Sequence, residues 1–371
     1  MSAFGLYVHV PFCSHLCPYC AFYKTQWSAD KETRYLQALA TESAHYAAHF
    51  GKPAIRTVFL GGGTPSLLSL DALTQLFKTL RDAFNIPHGT EITLEMNPEN
   101  VSKTNLAAYA ALGITRISLG VQSFNTLELD ALGRTHSPTA LHEALHWLQT
   151  GPIPNFNVDL IFSTGVSTLS LLKKTLDTVL TIAPPHVSAY ALSIEEGTPF
   201  HRKKVRPLPS HTELQHYDYI RKTLSKAGYT HYEVSAFAKP GFECQHNLIY
   251  WQLAPYIGLG PSAASYFDQF HFQNPTLDPY CQDPKPAFLK TPDAVWVSPQ
   301  DHFYDFLIAN LRRTQGIEIQ DLIHRFGSRA LPQKTVAKLQ AEGLLYQSKT
   351  KLRATVKGLQ LLDHVLGELL S

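Results

Sequence analysis

Hydrophobic and polar positions along this chain follow two periods that alternate. Short β-branched and aromatic runs, GLYVHV, TVFLGG, EITLEMNP, RISLGVQS, NFNVDLIF and HVSAYALS, begin near residues 5, 57, 91, 116, 155 and 186. Continuous apolar runs of this length, bounded by turn residues, read as strands buried on both faces of a parallel sheet. Between them lie KETRYLQALATESAHYAAHF, LDALTQLFKTLRDAF, TNLAAYAALG and PTALHEALHWLQT, where apolar residues recur at three and four, the spacing of a helix with one buried face. Strand–helix alternation of this kind builds a parallel sheet covered by crossover helices. Six units can be counted, which predicts an α/β fold: an incomplete barrel or an open wound sheet.

The alternation stops near residue 200. HTELQHYDYIRKTLSKAGY reads as one more helix, followed by an aromatic region broken by proline and glycine up to about residue 298. Beyond it the pattern is mainly helical, with AEGLLYQSKTKLRATVKG reading as a two-stranded wing. The expected division is therefore a barrel over 1–235, an aromatic, Gly- and Pro-rich region over 236–298, and a smaller winged-helix-like C-terminal domain over 299–371.

Composition narrows the function classes. With 44% hydrophobic and 17% charged residues, the chain can build a large core without metal or disulfide staples, which leaves its five cysteines free for chemistry. A formal charge of +2 over 371 residues gives no long-range field, and no lysine- or arginine-dense run is read here, so nucleic acid is not an expected partner despite the wing. The first residues lack the charged and apolar regions of a signal peptide, and no apolar run reaches the ~18 residues of a membrane span. Three of the cysteines are clustered, unlike an oxidised extracellular framework. A cytoplasmic protein is expected.

The chemistry concentrates in HVPFCSHLCPYCAF, residues 9–22, where Cys13, Cys17 and Cys20 follow CxxxCxxC directly after the first strand. On local grounds the loop suits an iron–sulfur cluster with one iron left open, a zinc site completed by His9 or His15, or thiols clustered by chance. Gly61–Ser66, GGGTPS, closes the second strand; its glycines serve a tight turn or let backbone approach a ligand closely. Glu95, Gln122 and Asp159 lie at or near the ends of the third, fourth and fifth strands, where each is a cap or a ligand. Tyr7 and His9 alternate on the first strand and so share one face.

Together these motifs resemble the radical S-adenosylmethionine superfamily, with Tyr19 in the aromatic place before the last cysteine. The resemblance implies a [4Fe-4S] cluster on Cys13, Cys17 and Cys20, whose open iron takes the amine and carboxylate of S-adenosylmethionine. Electron transfer then cleaves the sulfonium to a 5′-deoxyadenosyl radical, with an electron donor such as flavodoxin or ferredoxin. It further implies Gly62, Gly63 and Thr64 at the amino group, Glu95, Gln122 and Asp159 toward the nucleoside, Arg134 of LGRTHS at the carboxylate, Tyr7 near the sulfonium and His9 near the cluster. No separate catalytic residue is assigned.

EEGTPF, HNLIYW, GLGPSA and the closing TVKG extend the resemblance over nearly the whole chain, to the anaerobic coproporphyrinogen III oxidase-like family. The oxidases themselves carry another cysteine two places beyond the third, where this chain has Phe22, and a long segment ahead of the loop, where it has twelve residues. The chain looks instead like the HemW branch, heme chaperones marked by HNxxYW, here His246, Asn247, Tyr250 and Trp251. That implies heme binding at those residues and delivery to an acceptor hemoprotein, a membrane respiratory cytochrome among the candidates. Departures are DLIFSTGV, without GLP after strand five, and GLGPSAAS, with alanine where a histidine often stands. The competing readings are an oxygen-independent coproporphyrinogen III oxidase and a zinc-binding interaction protein. Cys244 and Cys281 stay outside the expected site.

Overall fold

Strand β1 (Phe4–Val10) is buried everywhere except at Tyr7, as its unbroken apolar run requires of a strand covered on both faces. After it come two two-residue strands, β2 (Phe12–Cys13) and β3 (Thr25–Gln26), which pair in parallel and tie the ends of the cysteine loop together. Five further strands follow, β4 (Ile55–Gly62), β5 (Glu91–Met96), β6 (Arg116–Gln122), β7 (Phe156–Phe162) and β8 (His186–Ala191). With β1 they form the predicted six parallel strands, in the order β1-β4-β5-β6-β7-β8. This computed structural model describes residues 3–268, 270–291, 296–327 and 331–370.

Crossover helices cover the outside: α1 (Ala29–Phe50), α2 (Leu70–Ala83), α3 (Lys103–Leu112), the pair α4 (Thr126–Leu132) and α5 (Pro138–Thr150), and α6 (Leu169–Ile182). Their ends are written locally. Ser28, Ser69, Ser102 and Ser137 each accept an amide hydrogen at a helix start, and α1, α3 and α4 end on glycines in the left-handed region. After β8 come the short α7 (Pro199–Arg202) and the longer α8 (Ser210–Lys226).

The sheet then grows beyond six strands at both edges, which the sequence reading did not anticipate. On one side β9 (Thr230–Glu233) and β10 (Ala236–Ala238) add antiparallel beside β8. On the other side β11 (Tyr256–Leu259) pairs parallel to β1 and is followed by β12 (Ala264–Phe267) and β13 (Phe270–Gln273), giving eleven strands among the described residues. The stretch 236–298 thus contributes strands to the barrel sheet itself. Tight β11–β12 pairing needs Gly258, because a Cβ there would lie 2.0 Å from the Ala264 carbonyl oxygen.

Helix α9 (Gln245–Trp251) closes the amino-terminal end of the sheet. It lies against the first residues of the strands: a Cβ on Gly5 would meet Ile249 at 2.9 Å, Thr57 bonds to His246, and Glu91 accepts the Gln245 and His246 amides. Helix α10 (Leu277–Gln282) and α11 (Pro299–Leu311) lead to the C-terminal unit, with strands β14 (Ile317–Glu318), β15 (Leu345–Gln347) and β16 (Lys351–Ala354) forming the wing. That unit has its own apolar core between Phe306 and Leu369. It meets the barrel where the Val234 amide donates to Arg312 O at 2.9 Å and the Arg312 guanidinium lies over the Trp251 ring at 5.0 Å. Among the described residues no helix is long and apolar enough to cross a membrane.

Candidate functional site

The cysteine loop leaves β1 and reaches across the carboxyl ends of the strands. The Thr25 amide donates to Pro11 O at 2.7 Å and the Trp27 amide to Cys13 O at 3.3 Å, so both legs of the loop are tied to one another. Its far side is held by other loops: His15 Nε2 donates to Gly133 O at 3.0 Å, after β6, and the Phe200 amide donates to Pro18 O at 3.1 Å, after β8. Cys13 is buried while Cys17 and Cys20 are partly exposed. Burial pushes the Cys13 thiol up, with a smaller push from the neighbouring thiols, against a hydrogen bond from Thr64.

A polar chain joins two of the thiols. Arg134 Nη1 donates to Cys17 Sγ at 3.5 Å, and Nη2 donates to Asn97 Oδ1 at 3.0 Å and to Gly120 O at 2.7 Å. Asn97 Nδ2 donates to Thr64 Oγ1 at 3.3 Å, and that hydroxyl donates to Cys13 Sγ at 3.8 Å. Asn97 was missed in the sequence. The available signal was its place, one residue past an apolar strand on the same rim as the cysteines, where asparagine also reads as a turn residue.

The glycine loop is shaped by the cysteine loop as much as by any ligand. Gly62 has φ +106°, and a Cβ there would lie 2.5 Å from the His9 ring; one on Gly63 would lie 2.6 Å from Phe12 O. The amides of this turn are engaged within the protein. The Gly62 amide donates to Glu95 Oε2 at 3.1 Å, Gly63 to Val10 O at 2.8 Å and Thr64 to Phe12 O at 2.7 Å. The loop's hydrogens are engaged because β1 and β4 remain in register to its edge.

Below this rim several strand residues are partly exposed on the face that carries Tyr7. Tyr7, Phe59, Glu95, Gln122 and Asp159 are among the partly exposed positions along these otherwise buried strands. Tyr7 donates to His9 Nδ1 at 3.0 Å, because His9 Nε2 is already the donor to Tyr23 O at 2.9 Å. Burial lowers the His9 pKa, so the ring is a neutral connector between β1 and the end of the cysteine loop. Glu95 is pushed up to about 8, first by burial and then by the charge of Asp159. Asp159 is raised by burial while Asn157 and Ser118 donate to it at 2.8 and 3.0 Å. Gln122 sits at a bulge against β7 with φ +68°, and its Nε2 and Arg134 Nη2 would lie 3.0 and 2.9 Å from a Cβ on Gly120. Tyr7, His9, Glu95, Gln122, Arg134 and Asp159 therefore cluster at the thiol-bearing end of the sheet.

The HNLIYW residues are elsewhere, at the opposite end of the strands. His246 is 0% exposed, with Nδ1 2.7 Å from Thr57 Oγ1, Nε2 2.8 Å from Tyr250 Oη and its ring stacked on Phe59. Burial drives its pKa to about 3. Asn247, Tyr250 and Trp251 are half-buried, and Trp251 Nε1 is enclosed without a partner. The motif forms a floor at that end, and no imidazole nitrogen of it is open to a ligand.

What could the thiols hold? Among the described residues no three His, Cys, Asp or Glu side chains converge as a single metal ion needs. His9 has both nitrogens engaged and is not a fourth ligand. Three sulfurs on one loop, with the Arg134 cation beside one of them, suit a larger anionic group with a corner left to another ligand.

A model of the Radical SAM superfamily matches residues 7–179, and one of the HemN C-terminal domain matches residues 297–361. The heme chaperone HemW of Lactococcus lactis is 30% identical over 370 residues, covering 98% of this chain and 96% of that protein. HemW of Escherichia coli is 37% identical over 261 residues, 70% of this chain and 69% of that one. The mitochondrial radical S-adenosyl methionine domain-containing protein 1 of Bos taurus is 33% identical and covers 99% of this chain and 87% of its own. Among solved structures, coproporphyrinogen III oxidase from Escherichia coli superposes with a TM-score of 0.83 at 23% identity, covering 99% of this chain and 90% of that one, a likeness of fold.

Proposed function

The chain belongs to the HemW family of radical SAM proteins, and from that premise we propose that it is a heme chaperone, carrying a [4Fe-4S] cluster and S-adenosylmethionine and passing heme to an acceptor hemoprotein. The observation that carries the reading is the match to a heme chaperone over essentially the whole chain, barrel, floor and C-terminal unit together. Phe22 in the place of the oxidases' further cysteine supports it.

In this reading Cys13, Cys17 and Cys20 hold the cluster, which supplies an electron to the sulfonium when S-adenosylmethionine is bound. Arg134 gives the anionic assembly a counter-charge and Thr64 donates to Cys13. At the Gly62–Thr64 loop an ammonium group would be received by acceptor oxygens, since the loop's amides are engaged within the protein. Glu95, Gln122 and Asp159 would receive the hydroxyl and base donors of the nucleoside, and Tyr7 would approach the sulfonium. His9 holds Tyr7 and the loop in place. Heme gains His246 only where Tyr250 or Thr57 releases a ring nitrogen. The cytoplasm, a respiratory acceptor and the division into 1–235, 236–298 and 299–371 belong to the same proposal.

Anaerobic purification, reconstitution and absorption titration with heme test it, followed by transfer to an apo-cytochrome. Saturable binding and transfer are expected; their absence counts against the reading. Formation of protoporphyrinogen from coproporphyrinogen III with reductant and S-adenosylmethionine would favour the oxidase instead, and none is expected.

A further inference from the structure

Arg116 opens β6 with a side chain that is 2% exposed. Its Nε is enclosed without a partner, and among the described residues the guanidinium donates no hydrogen bond and enters no ion pair. Across from it on β5 its register partner is Thr93, 0% exposed, whose Oγ1 is likewise enclosed without a partner. We propose that Arg116 and Thr93 together bind a carboxylate group, at a site distinct from Arg134 on the rim.

A buried cation without a counter-charge is among the costliest arrangements a fold can hold, and buried polar groups without partners are rare enough to mark places where something else supplies them. Here two such groups stand side by side on neighbouring strands, both lacking an acceptor. Register fixes their face: Thr93 pairs with Arg116 and Glu95 with Ser118, and Ser118 donates to Asp159 at 3.0 Å. The pair therefore lies one strand repeat from the carboxyls of Glu95 and Asp159, on the side toward α9. From there the Arg116 charge acts on His186 of β8 and on Cys244 and His246 at α9. The acids of this region are committed to other donors. Glu91 accepts the Gln245 and His246 amides at 3.2 and 3.0 Å, Glu95 the Gly62 amide at 3.1 Å, and Asp159 the Asn157 amide group at 2.8 Å. Burial keeps His186 and His246 uncharged, and Glu95, pushed up to about 8 mainly by burial, holds its proton at neutral pH and does not repel an incoming anion. The guanidinium fork presents parallel N–H donors that match the two oxygens of a carboxylate, which a spherical halide cannot use together, and the Thr93 hydroxyl adds a further donor. Such a group comes either from a small free carboxylate or from a propionate arm of heme. Only the second source rests on the chaperone reading.

Full-length reconstituted protein tests the site with sodium formate, the smallest carboxylate, against sodium chloride at equal ionic strength. The wild-type melting temperature should rise saturably with formate and not with chloride. Arg116→Met should abolish that rise while melting no lower than the wild type in formate-free buffer, because it removes an unpaired cation. Thr93→Val should weaken formate binding roughly fivefold. No rise in the wild type, an equal rise with chloride, or a rise that survives in Arg116→Met would overturn the proposal. Should Arg116→Met fail to fold, Arg116→Lys decides: it keeps the charge without the fork, and formate affinity should fall about tenfold, whereas unchanged affinity overturns the site. Line broadening of carbon-13 formate then identifies the source. Heme that sharpens the line where heme dimethyl ester does not assigns the site to a propionate; if neither displaces formate, the ligand is a free carboxylate. Heme that fails to bind at all counts against the chaperone reading and leaves the formate result standing.

Discussion

A carboxyl group enclosed by protein keeps its proton until the pH overcomes the cost of burying a charge, and Glu42 is such a group. Burial pushes it up to about 7, even though the Gly260 amide, Tyr280 hydroxyl and Asn274 Nδ2 lie 2.9, 2.7 and 2.7 Å from its oxygens. Its folded pKa lies above the ordinary 4.5, so its contribution to stability is whole below that value and is lost as pH rises through about 7. Glu42→Gln should therefore flatten the stability profile, removing up to about 3 kcal/mol of the wild-type decline between about pH 5 and about pH 8. Denaturant titrations at the two ends check it; parallel profiles would place Glu42 at an ordinary carboxylate pKa. At His246, loss of the ring leaves Thr57 and Tyr250 without a buried partner, and His246→Ala should cost about 2–4 kcal/mol. If the histidine acts by holding the floor, Tyr250→Phe and Thr57→Val will weaken heme binding too, and heme bound to His246→Asn will keep the wild-type electron paramagnetic resonance signature. A changed signature restored by added imidazole would mark it as an axial ligand.

At the scale of elements, the rim loops depend on one another. Asn97→Ala removes the acceptor of Arg134 and the donor to Thr64 together. Since partners of metal ligands commonly contribute 10–100-fold to retention, the reconstituted variant should lose iron to a chelator about tenfold faster. Gly62→Ala places a methyl against His9 on a backbone at φ +106°, and is expected to lower stability by roughly 2 kcal/mol or more and to reduce iron uptake on reconstitution. The six parallel strands were legible because each is a continuous apolar run, and all begin within two residues of where the pattern placed them. Strands β9–β13 were not, being three or four residues long and broken by glycine and aromatic residues, below the length at which a period shows. The candidate rim residues were legible as strand-end polar groups. The chain through Asn97 was not, because its partners come from three other segments and no local spacing records them.

Across the whole molecule, the floor of the barrel leans on the C-terminal unit. Arg312 lies over Trp251 of α9, and the Thr314 amide donates to Tyr232 O at 3.1 Å. A cation over an aromatic face contributes about 1 kcal/mol, so Arg312→Ala should raise amide exchange in Gln245–Trp251 roughly fivefold while leaving β4 and β5 protected. Unchanged exchange would mean that the floor stands without that contact. Helix α9 lies across the first residues of β1, β4 and β5, so a small molecule seated beside Tyr7, Glu95 and Asp159 is reached from the thiol-bearing end. Whatever enters first lies deepest and departs last, so a small molecule seated under the thiols is trapped by anything resting on the rim, and loading must precede capping.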